Sequence, residues 1–274
     1  MSSLNDLRHL RDNLPKSGTL MPVLFLGHGS PMNGIEDNEF SNSWKALGLT
    51  LPTPKAVIVI SAHWLTAGTR ITAMDSPQTI HDFGGFPKAL FDVQYPAPGS
   101  PALANEMVGL IRSASVEPDH DWGLDHGAWT IVRHMYPDAS VPVLQLSIDY
   151  TRPAVYHYEL AKELGELRRQ GVLLLASGNM VHNLRTINWN LPFNGFDWAL
   201  ESNETFKRHL VDGNHKALIE YERLGAAVRM AVPTPEHYLP LIYAIGLQEK
   251  SDSLVVFNDK TLMGSISMTS LILS

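Results

Sequence analysis

The chain has 274 residues, a formal charge of −7, 44% hydrophobic and 18% charged side chains, and no cysteine. This balance fits one soluble core-forming domain, and the missing cysteines exclude disulfides, thiolate nucleophiles, zinc ribbons and iron–sulfur clusters, so nitrogen and oxygen must hold any metal. An acidic chain with no Lys/Arg cluster, no membrane-length apolar run and no signal-like apolar segment near its start is expected to be cytoplasmic, binding neither nucleic acid nor membrane.

A polar arm carrying Arg8, Arg11 and Lys16 occupies residues 1–20. The first apolar run, Val23-Leu24-Phe25-Leu26, predicts a buried strand that ends at Gly27-His28-Gly29-Ser30. A helix is expected over Asn38–Leu49, then a strand from Pro54 to Ile60 that leads into Ser61-Ala62-His63-Trp64, and a third strand over Arg70–Ala73. Asp75–Pro101 is dense in Gly and Pro and reads as one long loop, which in a compact domain is usually functional. Helices are expected at Ala102–Ser113 and, after Asp125-His126-Gly127, at Ala128–Met135. Val141–Ile148 is a strand, Ala154–Arg169 a helix, and Val172–Ala176 a strand delivering a loop with His182. Helices over Gly195–His209 and Asn214–Leu224 follow. Thr234-Pro235 is a helix-start signal that places His237 in a first turn, and strands at Leu254–Phe257 and Ser265–Ile272 close the chain. Strands alternating with helices predict an α/β fold, a single domain over 1–274. A central, mostly parallel mixed sheet is flanked by helices, with a metal site at the C-terminal ends of the strands.

Of the 12 histidines, His9, His120, His134, His157, His209 and His215 lie in polar or helical surroundings and read as surface or packing residues. His28, His63, His126, His182 and His237 each sit at an expected element end, where side chains can converge. Neutral imidazole offers a nitrogen lone pair near neutral pH, and a nitrogen-rich set with some oxygen suits iron, zinc, copper or nickel. Glu236 beside His237 would complete a two-histidine, one-carboxylate set, but helical neighbours point about 100° apart, so only one of the pair is expected to reach a metal. On these residues alone an iron oxygenase, a zinc-dependent hydrolase and a non-enzymatic metal-binding scaffold all remain open.

Six segments occur in order: Gly27-His28-Gly29-Ser30-Pro31, Ser61-Ala62-His63-Trp64, His81-Asp82-Phe83-Gly84-Gly85-Phe86-Pro87, Leu124-Asp125-His126-Gly127-Ala128-Trp129, Gly178-Asn179-Met180-Val181-His182-Asn183 and Glu236-His237-Tyr238-Leu239-Pro240. Together they resemble the DOPA-type branch of the class III (LigB-like) extradiol ring-cleavage dioxygenases, over nearly the whole chain. The resemblance implies one non-haem Fe(II) acting on a catechol and O₂, with L-DOPA opened by 4,5-cleavage to a muconate semialdehyde, the precursor of betalamic acid. It further implies His28 and His63 as ligands, with His237 where many class III enzymes carry glutamate. His182 falls at a position that is either a fourth ligand or the base, of which the base is favoured; His126 would stabilise or protonate the oxygen species, and His81 with the Gly84-Gly85 loop would lie over the substrate. Three neutral ligands also make zinc a comfortable occupant. Trp64, Trp129, Phe83 and Phe86 are candidates for an aromatic slot, and Arg185 for the carboxylate of an amino-acid substrate.

Overall fold

A computed structural model describes residues 20–274; the expected N-terminal arm, with His9, falls almost wholly outside them. Eight strands form the main sheet: β1 (Val23–Gly27), β2 (Ala56–Thr66), β3 (Thr69–Thr72), β4 (Val116–Asp119), β5 (Val143–Asp149), β6 (Val172–Gly178), β7 (Leu254–Phe257) and β8 (Ser270–Leu273). Their spatial order is β4-β3-β5-β2-β6-β1-β8-β7. The centre, β5-β2-β6-β1, is parallel throughout, while β8 and β7 add antiparallel strands at one side and β3 meets β5 antiparallel at the other.

The continuous apolar runs have a simple cause. Val23, Phe25, Ile58, Ile60, Leu174 and Ala176 face one apolar layer, and Leu24, Leu26, Val57, Val59, Leu173 and Leu175 face another. Both sheet faces are covered, so alternate positions need not be polar. Helices Pro101–Leu110, Ala154–Glu163, Asp197–Val211 and Leu239–Gly246 cover the first layer, and Glu39–Thr50 with His126–Met135 covers the second. No helix among the described residues is long and apolar enough to cross a membrane.

Several expected boundaries move, each for a local reason. β2 continues six residues past Ile60, and its register against β5 shifts between Ile60 and Leu65. Such an irregularity re-aims side chains, and it places His63 inside a strand instead of beyond one. The helix expected at Ala154–Arg169 divides into Ala154–Glu163 and Gly165–Arg169, and the one expected over Asn214–Leu224 divides into His215–Ile219 and a 3₁₀ turn, Tyr221–Leu224. The final strand breaks into Ile266–Ser267 and Ser270–Leu273. β4 went unpredicted because it reads Val-Glu-Pro-Asp, a composition suited only to a sheet edge. Thr234-Pro235 does not start a helix: Pro235–Tyr238 is a turn, and the helix opens at Leu239 with Pro240 in its first turn.

A histidine cluster at the strand ends

β1, β6 and β2 are neighbours, and the chain leaving or finishing each carries a histidine to one place. His28 follows β1, where Gly29 takes a left-handed φ of 61°. A side chain at Gly27 would lie 2.7 Å from the backbone of Met268, so the loop can pass there only as glycine. His63 sits in the irregular end of β2. His126 is the first residue of helix His126–Met135, whose N-cap is Asp125. His182 follows β6, its backbone N–H donating to the Ala231 carbonyl, and His237 lies in the turn before helix Leu239–Gly246.

The five rings are contiguous. The His28 ring centre lies 5.0 Å from His63, 5.3 Å from His237 and 5.6 Å from His126; His63 and His126 are 3.9 Å apart, and His182 stacks on His237 at 3.5 Å and 8°. They form the floor of a cleft of about 350 Å³ whose walls include Phe83, Phe86, Leu184, Ile187, Trp189, Met263 and Ile266.

Hydrogen bonding shows what the nitrogens offer. The Ser177 hydroxyl donates its one proton to the Gly127 carbonyl at 2.6 Å, so at 2.9 Å from His28 Nδ1 it can only accept. His28 therefore carries its proton on Nδ1 and turns an Nε2 lone pair inward, 3.1 Å from Nε2 of His63. Burial drives the pKa of His28 and His237 well below the ordinary range and lowers His63 to about 3 and His182 to about 4; for the first three, neighbouring imidazoles push the same way. These rings are thus uncharged at neutral pH, each with one nitrogen lone pair to offer. Nδ1 of His237 is buried without a hydrogen-bond partner among the described residues. Donors about 2.0–2.1 Å from a tetrahedral ion stand about 3.3–3.4 Å apart, close to the His28–His63 separation, so the residues fit a metal ion.

Two donor groups emerge, each with ligand atoms within 4.8 Å: His28, His63 and His126, and His182, Glu236 and His237. The expected ligand trio is divided between these adjoining groups. Glu236 and His237 reach the same group, with Oε1 to Nδ1 at 3.6 Å, because they lie in a turn and the divergence of helical neighbours does not apply.

Other expectations fare differently. His81 does not line the cleft; its Nε2 is bonded to the Val93 carbonyl at 3.0 Å and its ring sits against Phe83 and Trp129. Asp82, the next residue, does line it: Oδ1 accepts from the His126 backbone N–H and Oδ2 from His126 Nδ1, both at 2.9 Å. Burial raises the Asp82 pKa, but the hydrogen bonds and charge of His126 outweigh it and leave the carboxyl below its usual range. Asp125, fully buried, accepts from Ser61 Oγ and Gln145 Nε2 at 2.7 Å, and burial followed by the Asp82 charge pushes its pKa up to about 6. Phe83 and Phe86 join the aromatic wall, whereas Trp129 is buried with its indole N–H on the Ile80 carbonyl and Trp64 stacks on Trp122. Arg185 is exposed in a 3₁₀ turn and does not line the cleft. Asp82, Ser177 and Asp125 were missed as polar partners; the one available signal was Asp82's position beside a histidine in a Gly-rich loop.

Packing beneath His237 yields one prediction. A Cβ on Gly178 would stand 2.3 Å from the His237 carbonyl oxygen and 3.0 Å from Pro240 Cγ, and the same carbonyl accepts the Asn179 N–H at 2.8 Å. Gly178→Ala is expected to destabilise the fold by about 1–3 kcal/mol and to weaken metal binding by displacing the His237 turn. Thermal unfolding of the metal-free protein and a metal titration measure the two effects separately.

A family model for the catalytic LigB subunit of aromatic ring-opening dioxygenase matches residues 22–267. A 4,5-DOPA dioxygenase extradiol of Escherichia coli (strain K12) is 49% identical over 259 residues, 93% of this chain and 95% of the relative. Its namesake in Beta vulgaris is 36% identical over 252 residues, 86% of this chain and 90% of the relative. The crystal structure of an uncharacterized protein from Escherichia coli K12 superposes with a TM-score of 0.81 at 43% identity, covering 93% of this chain and 100% of that one.

Proposed function

We propose, from the premise that this chain belongs to the LigB family of aromatic ring-opening dioxygenases, that it cleaves the ring of L-DOPA between carbons 4 and 5 with Fe(II) at the histidine cluster. The family makes it a metal-dependent extradiol dioxygenase rather than the hydrolase or scaffold that the histidines alone left open. The observation that carries the reading is the convergence of buried, neutral imidazole nitrogens on one cleft, with the Nε2 atoms of His28 and His63 3.1 Å apart.

His28, His63 and His237 would hold the ion, with His182 a fourth ligand or, in the favoured assignment, the base. Bound Fe(II) supplies open positions for the catechol and O₂ and the electronic path between them. Ser177 and Gly127 keep the His28 lone pair turned inward. His182, its pKa near 4, is unprotonated at neutral pH and free to accept a catechol hydroxyl proton from the cleft side. His126, backed by the Asp82 carboxylate, is placed to return a proton to oxygen as the ring opens. Phe83, Phe86, Ile187 and Trp189 shed water around the ring and leave a slot for a planar aromatic. Both atoms of O₂ enter the product, a muconate semialdehyde that can cyclise to a betalamic-acid-type compound.

The nitrogen-only trio also accommodates zinc, so protein carrying zinc is expected to be inactive without contradicting the assignment. Metal-free protein loaded anaerobically with Fe(II) and mixed with L-DOPA and O₂ should consume one O₂ per catechol and develop a yellow chromophore. An iron-loaded protein that consumes no O₂ with L-DOPA or any other catechol would refute it.

A further inference from the structure

We propose that Asp82 is a positioning residue that fixes His126 in one tautomer, the proton on Nδ1 and the Nε2 lone pair facing the cleft. Its Oδ2 lies 2.9 Å from Nδ1 of His126 and 3.3 Å from Nδ1 of His63, while Oδ1 takes the backbone N–H of His126 at 2.9 Å. An ionised carboxylate only accepts hydrogen bonds, so the His126 Nδ1 bonded to it must carry the proton. The His63 ring lies beside that of His126, centres 3.9 Å apart. The Asp82 side chain is 17% exposed, and both of its oxygens are engaged by N–H groups of His126, the arrangement expected of a carboxylate anion.

With Nδ1 bonded to Asp82, the cleft-facing Nε2 of His126 is the nitrogen that can take up a proton and then return it to oxygen, while His63 lies beside it with Nδ1 3.3 Å from the same carboxylate. Outer partners of this kind set the tautomer and ring orientation of metal-binding histidines. For His28 the Ser177–Gly127 chain does the same work. The cluster therefore has two independent tautomer locks, one neutral and one anionic.

An isosteric change exposes the role. In Asp82→Asn the amide keeps one acceptor oxygen, which the His126 backbone N–H requires, and the amide NH₂ then faces Nδ1 of His126. That nitrogen must become the acceptor, and the ring proton moves to Nε2. A comparable exchange beside a catalytic histidine costs about 10⁴-fold in turnover by enforcing the wrong tautomer. The catalytic consequence rests on the ring-cleavage reading; the tautomer does not.

The test uses full-length, zinc-loaded protein with ¹⁵N-labelled histidine, and long-range ¹H–¹⁵N correlation of the ring nitrogens, which separates protonated from lone-pair nitrogens without turnover. Wild type should show His126 protonated at Nδ1 with a lone pair at Nε2. Asp82→Asn should show the reverse, and Asp82→Ala a mixture. A proton on Nε2 of His126 in wild type overturns the proposal even if neither variant folds, and so does a tautomer unchanged in Asp82→Asn. Failure of catechol cleavage alone would count against the proposed function and leave this result intact.

Discussion

Replacing His63 by alanine is expected to abolish tight metal binding and, with it, all ring cleavage. His63 contributes an Nε2 that faces the His28 Nε2 at 3.1 Å, and its side chain, 19% exposed, is not part of either apolar layer. Its loss should therefore leave the metal-free protein near wild-type stability while removing an irreplaceable donor. The fall in metal affinity should exceed the about 10–100-fold that loss of an outer partner costs. The stabilisation conferred by metal should vanish with it, an effect of about 4 kcal/mol when the metal stands at a thousand times its dissociation constant. His182→Ala separates the roles: as the base it keeps metal and loses turnover, and loss of metal in both variants would make His182 a ligand. Metal content after dialysis and thermal shifts with and without metal measure these outcomes.

Arg168→Ala should produce the largest loss of stability of any single change remote from the cleft, about 3–5 kcal/mol. The guanidinium is fully buried, donates from Nε to the Met21 carbonyl at 2.7 Å and from Nη1 to the Leu247 carbonyl at 2.9 Å, and forks onto both oxygens of Asp252 at 2.7 and 2.9 Å. One side chain thereby ties the strand entering the sheet to the segment that leads into β7. Truncation leaves the Asp252 carboxylate buried without its cation, and a lysine cannot restore a two-pronged contact. Denaturant unfolding of metal-free protein checks the magnitude. A double change of Arg168 and Asp252 to apolar residues should recover much of the loss, because the cost lies in the orphaned charge and not in absence of the pair.

The sequence was most legible where one physical demand acts alone. Continuous apolar runs announced β1, the first part of β2, and β6, since only strands covered on both faces tolerate them, and small residues after those runs marked where histidines could converge. What escaped depends on contacts between distant segments. β4 carries no apolar signal because it is an edge. The extension of β2 through His63 is sustained by pairing with β5 across a register shift that its own residues do not encode. Thr234-Pro235 has the form of a helix start, but the chain spends those residues on the turn that offers the His237 carbonyl to Asn179. His81 stood out because it is a histidine, yet the loop turns it to the Val93 carbonyl and presents Asp82 and Phe83 to the cleft. The carboxylate beneath His126 and the serine behind His28 are visible only once strands β1, β2 and β6 lie side by side.

If these histidines form one metal centre at which a catechol is held for ring opening, iron and catechol should be found there together. Anomalous X-ray diffraction at the iron edge, from crystals of Fe(II)-loaded protein grown anaerobically with a slowly reacting catechol, locates both. A single iron beside Nε2 of His28 and of His63, with the catechol next to it in the cleft lined by Phe83, Phe86 and Trp189, is the expected result. Iron bound outside the cluster, or a catechol seated away from it, would refute the assignment.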